Sequence, residues 1–317
     1  WDNQSTDLRG AIIAMANPTG STTPGSTTNS KRKVFVRGGT YYSPTYSSGD
    51  AFSLIVNNDA VKAGWLESIE LVGGCTGSKN TDGTEVQDFS KPSVLIENPA
   101  KKGQTTHLLN IVTNGKPVTI SGFTFQNQSG VGVNAKVNLS TNNEGSLLKV
   151  HNSAFRKNKG TGMEVDNNAA TNDNESGIKM WNVLFADGEG KGLEITKSQS
   201  ADITNATFAN NKGTAVNVTD NVYNSVAWEN GSQDLNTDNK NVVIDKSVKN
   251  DDVLNGPNFV DPNNGDYRIR PSLKLLDQGS NEKYQLNADI NSEKDLGNTA
   301  RLIGDNIDIG AYECDTK

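Results

Sequence analysis

At 317 residues the chain is long enough for two ordinary domains or one elongated one, yet only 33% of it is apolar and 6% aromatic. That supply cannot fill a wide core but can fill a thin, long one, and the wealth of Asn, Thr, Ser, Gly and Asp suits turns and strands over long helices. A net charge of −7 argues against a nucleic-acid partner, and no apolar run approaches the ~18 residues that span a bilayer.

Taken from the N-terminus, Trp1 reads as the start of a trimmed chain, with no export signal in view. "STDLRGAIIAMAN" then offers Ser5 or Thr6 as an N-cap before apolar residues at helical spacing, which predicts a capping helix over about 5–17. A cap is physically expected, because the open edge of a parallel strand stack invites aggregation. The stretch "NPTGSTTPGSTTNSKRK" reads as a surface loop. Beyond it, "KVFVRGGTYY", "SIELVGGCTG", "PSVLIENP" and "HLLNIV" read as strands ending in Gly- or Pro-rich turns.

From residue 122 the chain repeats itself. "GFTFQN", "NSAFRKN", "NVLFADG", "NATFANN" and "NSVAWEN" start at Gly122, Asn152, Asn182, Asn205 and Asn224, with spacings of 30, 30, 23 and 19 residues. Short alternating strands flank the phrases, and the excess in the long intervals lies in polar insertions. This pattern predicts an all-β, single-stranded right-handed parallel β-helix whose coils stack ~4.8 Å apart. Phe125, Phe155, Phe185 and Phe208 should stack inside as a ladder. Asn152, Asn182, Asn205 and Asn224 should sit at a tight bend, with amides free to bond the next coil and Gly122 taking the same place one coil earlier.

The C-terminal stretches "GPNFVDPNNGDYRIRPSLKLLDQGS", "DLGNTAR" and "IDIGAYE" resemble the closing module of secreted right-handed β-helix proteins of the pectin-lyase-like superfamily, of the kind common in gut Bacteroidetes. "NSVAWEN" resembles the final coil before that module, and "GGTY" with "ELVGG" resembles the opening coils. The resemblance implies a β-helix over 1–254, a closing module over 255–317 packed on the last coils, and a secreted or cell-surface location. It says little about activity, since the superfamily holds polysaccharide lyases, hydrolases and adhesins. Asp295, Arg301 and Asp308 read as a charge network that fixes the closing module.

Equivalent outward positions become neighbours in space, so candidate sites are columns. One runs Ser121, His151, Trp181, Thr204, Tyr223; its rings are either a platform for sugar faces or lie beneath the insertions at 138–146 and 166–176. A second runs Asn134, Glu164, Glu194, Asn217. Its adjacent carboxylates are candidates for acid–base work or for calcium, with Lys191, Arg156 or Lys159 as the basic residue the related lyases use; an ordinary charged surface is the alternative. A third runs Gln126, Arg156, Ala186, Ala209, Trp228, with Arg156 and Trp228 as ligand-binding candidates. The two histidines, His107 and His151, match no zinc pattern. Cys75 and Cys314 could pair only if the C-terminal tail folded back. Apart from possible calcium, no cofactor is expected. The favoured expectation is non-catalytic binding of a polysaccharide or cell-surface glycan along the flank. A lyase or glycoside hydrolase, and a structural stalk or adhesin without any concave cleft, are the alternatives. Ligand identity, anchoring and oligomeric state are not encoded legibly.

Overall fold

A computed structural model of the protein describes residues 7–17, 30–44, 49–58, 61, 66–103, 106–126, 128–138, 148–168, 177–197, 201–217, 221–232, 235, 237–244 and 247–315. The coils run over three faces, the last of them reaching the third face only through isolated bridges, and the pairing between coils is parallel. The first face holds the start of Leu66–Lys79, Val118–Ser121, and the first halves of Leu148–Arg156 and Ile178–Ala186. The second face continues from it with Ser93–Ile96, Phe123–Gln126 and the second halves of the same long strands, ending in Val226–Trp228 and Val242–Ile244. The third is a separate sheet of Phe52–Ile55, His107–Val112, Val131–Val137, Met163–Asn167 and Leu193–Lys197. The chain is a parallel β-helix.

The repeat phrase explains itself in this frame. Phe125, Phe155, Phe185 and Phe208 stack with ring centroids 5.3, 4.6 and 5.2 Å apart, each ring wholly or almost wholly buried. Asn152, Asn182, Asn205 and Asn224 all take left-handed backbone angles, φ between 45° and 55°, where Asn is tolerated far better than a branched residue. Gly122 holds the corresponding bend at φ 74°, and an added Cβ there would lie 2.4 Å from the Gly73 carbonyl oxygen. A second set, Asn158, Asn211 and Asn230, closes the turn after the second face. Their amides donate inward to the carbonyls of Phe125, Phe185 and Phe208, so the buried donors are satisfied between coils.

The first Asn column behaves differently from the expectation. Its amides mostly bond not the next coil but the C-terminal segment. Asn152 donates to the carbonyls of Lys294 and Asp295, Asn182 to Lys294 and the Tyr284 hydroxyl, Asn205 to Asp308 and Gly310, and Asn224 to Ser280. Only Asn224 also reaches along the column, to Asn205 Oδ1. Residues 255–315 therefore do more than close the last coil: they lie back along the flank, over the bend between first and second faces. Two apolar clusters hold them there, one around Trp228, Phe259 and Tyr267, the other around Trp181, Tyr284, Ile290 and Ile307. Inside this segment the ion pair of Arg301 is with Glu313, a residue outside the expected network. Arg301, fully buried, faces Glu313 at 3.4 Å and donates to the Asp308 carbonyl, while the carboxylates of Asp295 and Asp308 accept backbone N–H groups, among them those of Glu313 and Cys314.

The N-terminal helix spans Leu8–Ala16, with Ile12, Met15 and Ala16 buried on the first coil. Asp7 precedes it without a side-chain cap, and the proposed Ser5 and Thr6 lie outside the described residues. No disulfide joins Cys75 to Cys314; both thiols are buried. One local reading is corrected. The expected turn at Gly73 and Gly74 is a bend from which the strand runs on to Lys79, pairing antiparallel with Glu85–Gln87. It forms a hairpin arm that stands off the first face.

Candidate functional site

The outward column on the first face extends further than the sequence suggested. Strand register places Phe35 beside Val72, Val72 beside Ser121, Ser121 beside His151, His151 beside Trp181, then Thr204 and Tyr223. A parallel column runs Lys33, Glu70, Thr119, Lys149, Lys179, Asp202. The two ends of this face have different fates.

At one end the C-terminal segment lies on top. Trp181 is 6% exposed and packs with Tyr284, Ile290 and Ile307; Asn287 donates to Thr204 Oγ1 at 2.7 Å; the Lys283 ammonium sits 5.0 Å over the Tyr223 ring. Trp181 is thus no open sugar platform. What covers it is the closing segment, whereas of the insertions at 138–146 and 166–176 residues 139–146 and 169–176 lie outside the described residues. Trp228 is corrected in the same way: at 5% exposure it meets the Phe259 ring edge-on at 5.6 Å under the C-terminal hairpin, in which Phe259–Asp261 pairs antiparallel with Asp266–Ile269. Arg156 stays partly exposed on the second face, ion-paired to Asp187 at 3.2 Å.

At the other end the face is open. A cleft of about 430 Å³ has Phe35, Glu70, Ser121 and His151 in its floor and the hairpin arm as its wall. Lys33 and Glu70 are paired at 2.6 Å across adjacent coils. From the arm, Gln87 Nε2 donates to the Gly73 carbonyl and to Ser121 Oγ, which braces the wall against the floor. Lys79 and Glu85 face each other across the arm, and Glu85 Oε2 is buried without a hydrogen-bond partner.

His151 marks the boundary between the two halves. Its ring stacks on Trp181 at 4.3 Å and 3°. Burial is the main cause that pushes its pKa down to about 4, so the ring is neutral at neutral pH. Its Nδ1 lies 2.9 Å from Asn152 Oδ1, and the Asn152 NH₂ is committed to the closing segment. The amide oxygen therefore faces the imidazole, Nδ1 carries the proton, and Nε2 keeps its lone pair.

The carboxylate pair belongs elsewhere. Glu164 and Glu194 are register neighbours, as their spacing implies, but on the third face, away from Trp181. Lys191 is ion-paired to Glu194 and exposed enough to be a solvated neutraliser. Among the described residues no group of three or more His, Cys, Asp or Glu side chains is placed to hold a metal ion.

Of the residues that build the cleft, Ser121 and His151 stand in the column that the sequence singles out, while Phe35, Glu70 and the arm residues do not. The coils before residue 122 lack the Asn-x-x-Phe punctuation, so their outward positions could not be aligned with the later ones. A signal for the arm was present in "NTDGT": Asp82-Gly83 is a strong hairpin dipeptide, and Gly83 does take φ 84° at the tip.

No family model matches the chain, and no curated protein matches it. Among solved structures, the crystal structure of pectate lyase Pel9A is similar over 89% of this chain and 88% of its own, at 13% identity and a TM-score of 0.40. Functional assignment therefore rests on this chain's own residues. Among the described residues no helix is long and apolar enough to cross a membrane.

Proposed function

We propose that the protein is an extracytoplasmic glycan-binding β-helix that holds a saccharide in the first-face cleft without cleaving it. One observation carries this reading: the open half of the face is a walled cleft whose polar groups are only partly engaged. Sugar hydroxyls both donate and accept, so they can satisfy the Glu85 carboxylate, the Lys79 ammonium and the His151 lone pair together. The Phe35 ring offers an apolar surface for sugar C–H groups. Secretion or surface display accords with this chemistry and with the resemblance of the C-terminal segment.

Calorimetric titration with size-graded oligosaccharides of galacturonic acid, glucose and xylose tests it. Binding by at least one series, weakened by about tenfold in Phe35→Ala and Lys79→Ala, is the expected result. Binding by none of the three, or binding unchanged in both variants, contradicts it.

A cleaving enzyme is the second reading, and the neutral His151 with its fixed tautomer favours it, because such a ring can accept a proton. Release of unsaturated or reducing ends from those substrates, lost in His151→Ala, would replace the binding reading. The stalk reading expects no concave cleft and gains no support from this surface.

A further inference from the structure

A separate cleft of about 350 Å³ opens on the second face, between the coils and the C-terminal hairpin. It shares no lining residue with the first-face cleft. One wall is apolar: Phe89 from the loop after the hairpin arm, Leu184 from the coils, Leu296 and Tyr312 from the closing segment. Opposite chemistry comes from Arg156, whose side chain remains 21% exposed.

The charges around Arg156 are unevenly engaged. Arg268 is tied to Asp266 by three contacts of 2.5–3.2 Å, so both are spent on each other. Asp187 accepts from the Tyr267 hydroxyl at 2.5 Å and from Asn210 at 3.0 Å, as well as from Arg156 Nη2 at 3.2 Å. Arg156 makes just that one hydrogen bond among the described residues, and its Nε is buried without a partner. A guanidinium with most of its donors unspent, beside an apolar wall, is completed by a planar oxyanion on an apolar body. A neutral sugar would leave the guanidinium's remaining donors without an anion and the wall wet.

We infer that this second-face cleft binds a small monocarboxylate with an apolar or aromatic body, its carboxylate on Arg156 and its body against Phe89, Leu184, Leu296 and Tyr312. The site belongs jointly to the coils and the closing segment, so it exists only when that segment is docked.

The test is calorimetric titration of the full chain with N-acetyl-phenylalanine, its primary amide, and galacturonic acid. The carboxylate is expected to bind about tenfold or more tightly than the amide, because a charge-assisted pair is lost with the charge. Arg156→Gln should remove that preference. Ser90→Trp, at the exposed rim of the cleft, should block binding while leaving Arg156 in place, and so carries the test should Arg156→Gln fail to fold. Lys79→Ala, in the other cleft, should leave the affinity for N-acetyl-phenylalanine unchanged. No binding of the carboxylate at millimolar concentration, equal binding of acid and amide, or binding that survives Ser90→Trp overturns the inference. Tighter binding of galacturonic acid than of N-acetyl-phenylalanine also overturns it, and makes this cleft a saccharide subsite.

Discussion

The two ends of the first face are built by one rule and finished by two different devices. Phe35, Val72, Ser121 and His151 share an outward column with Trp181, Thr204 and Tyr223. Over the later residues lies the C-terminal segment, tied to the bend by Asn152, Asn182, Asn205 and Asn224. After Val72 and Ser121 the bend is glycine, Gly73 and Gly122, and a hairpin arm takes the place of that segment. Side-chain amides at the bend thus mark where the flank is covered, and glycines mark where it is left as a cleft. A repeat fixes direction; what lies over it fixes use.

The core beneath both halves is common to them and should be the most sensitive part. Phe185→Ala removes a ring stacked between two others and should cost about 3–5 kcal/mol in chemical denaturation, with no selective effect on either half. A loss below about 1 kcal/mol would mean that the ladder is not tightly packed.

Next in size is the tether. Asn182→Ala should cost about 2–4 kcal/mol, since it strands buried carbonyl and hydroxyl partners and puts a Cβ at positive φ without the compensation Asn provides. Asn182→Gly relieves the backbone term and keeps only the hydrogen-bond loss, so it should fall below the alanine variant. Equal losses would show that the bend itself carries no strain. In both variants acrylamide should quench Trp181 more readily than in the parent.

That covering was the part least legible in the sequence. The Phe ladder, the bend at Asn and the register of Glu164 with Glu194 could be read, because each recurs at a fixed place in a repeated phrase. The repeat points Trp181 out of the coil, as the structure has it, but periodicity reports direction and not what is stacked above. Its cover comes from Tyr284, Ile290 and Ile307, about a hundred residues downstream and without a repeat of their own. The arm was missed for a related reason: Gly73-Gly74 looks like the end of a strand, and only antiparallel pairing with Glu85–Gln87 reveals a continuation.

A smaller effect separates the halves by pH. The folded His151 titrates at about 4, against ~6.5 for an unfolded chain. Between those values the unfolded state binds the extra proton, so stability rises with pH across that window and is lost as pH falls from 6.5 towards 4. Replacing His151 with Asn should reduce this acid-side slope. A slope identical to the parent's would mean that the imidazole is not held neutral at the boundary.

The division of the face itself is tested most directly by hydroxyl-radical footprinting, read by mass spectrometry at Phe35, His151, Trp181 and Trp228. In the free protein, Phe35 and His151 should be labelled, while both tryptophans, intrinsically reactive but buried, stay silent. Saturation with a binding oligosaccharide should then protect Phe35 and His151 alone. Rapid labelling of Trp181 in the free protein, or ligand protection at Trp181 or Trp228 in place of the cleft, would contradict it.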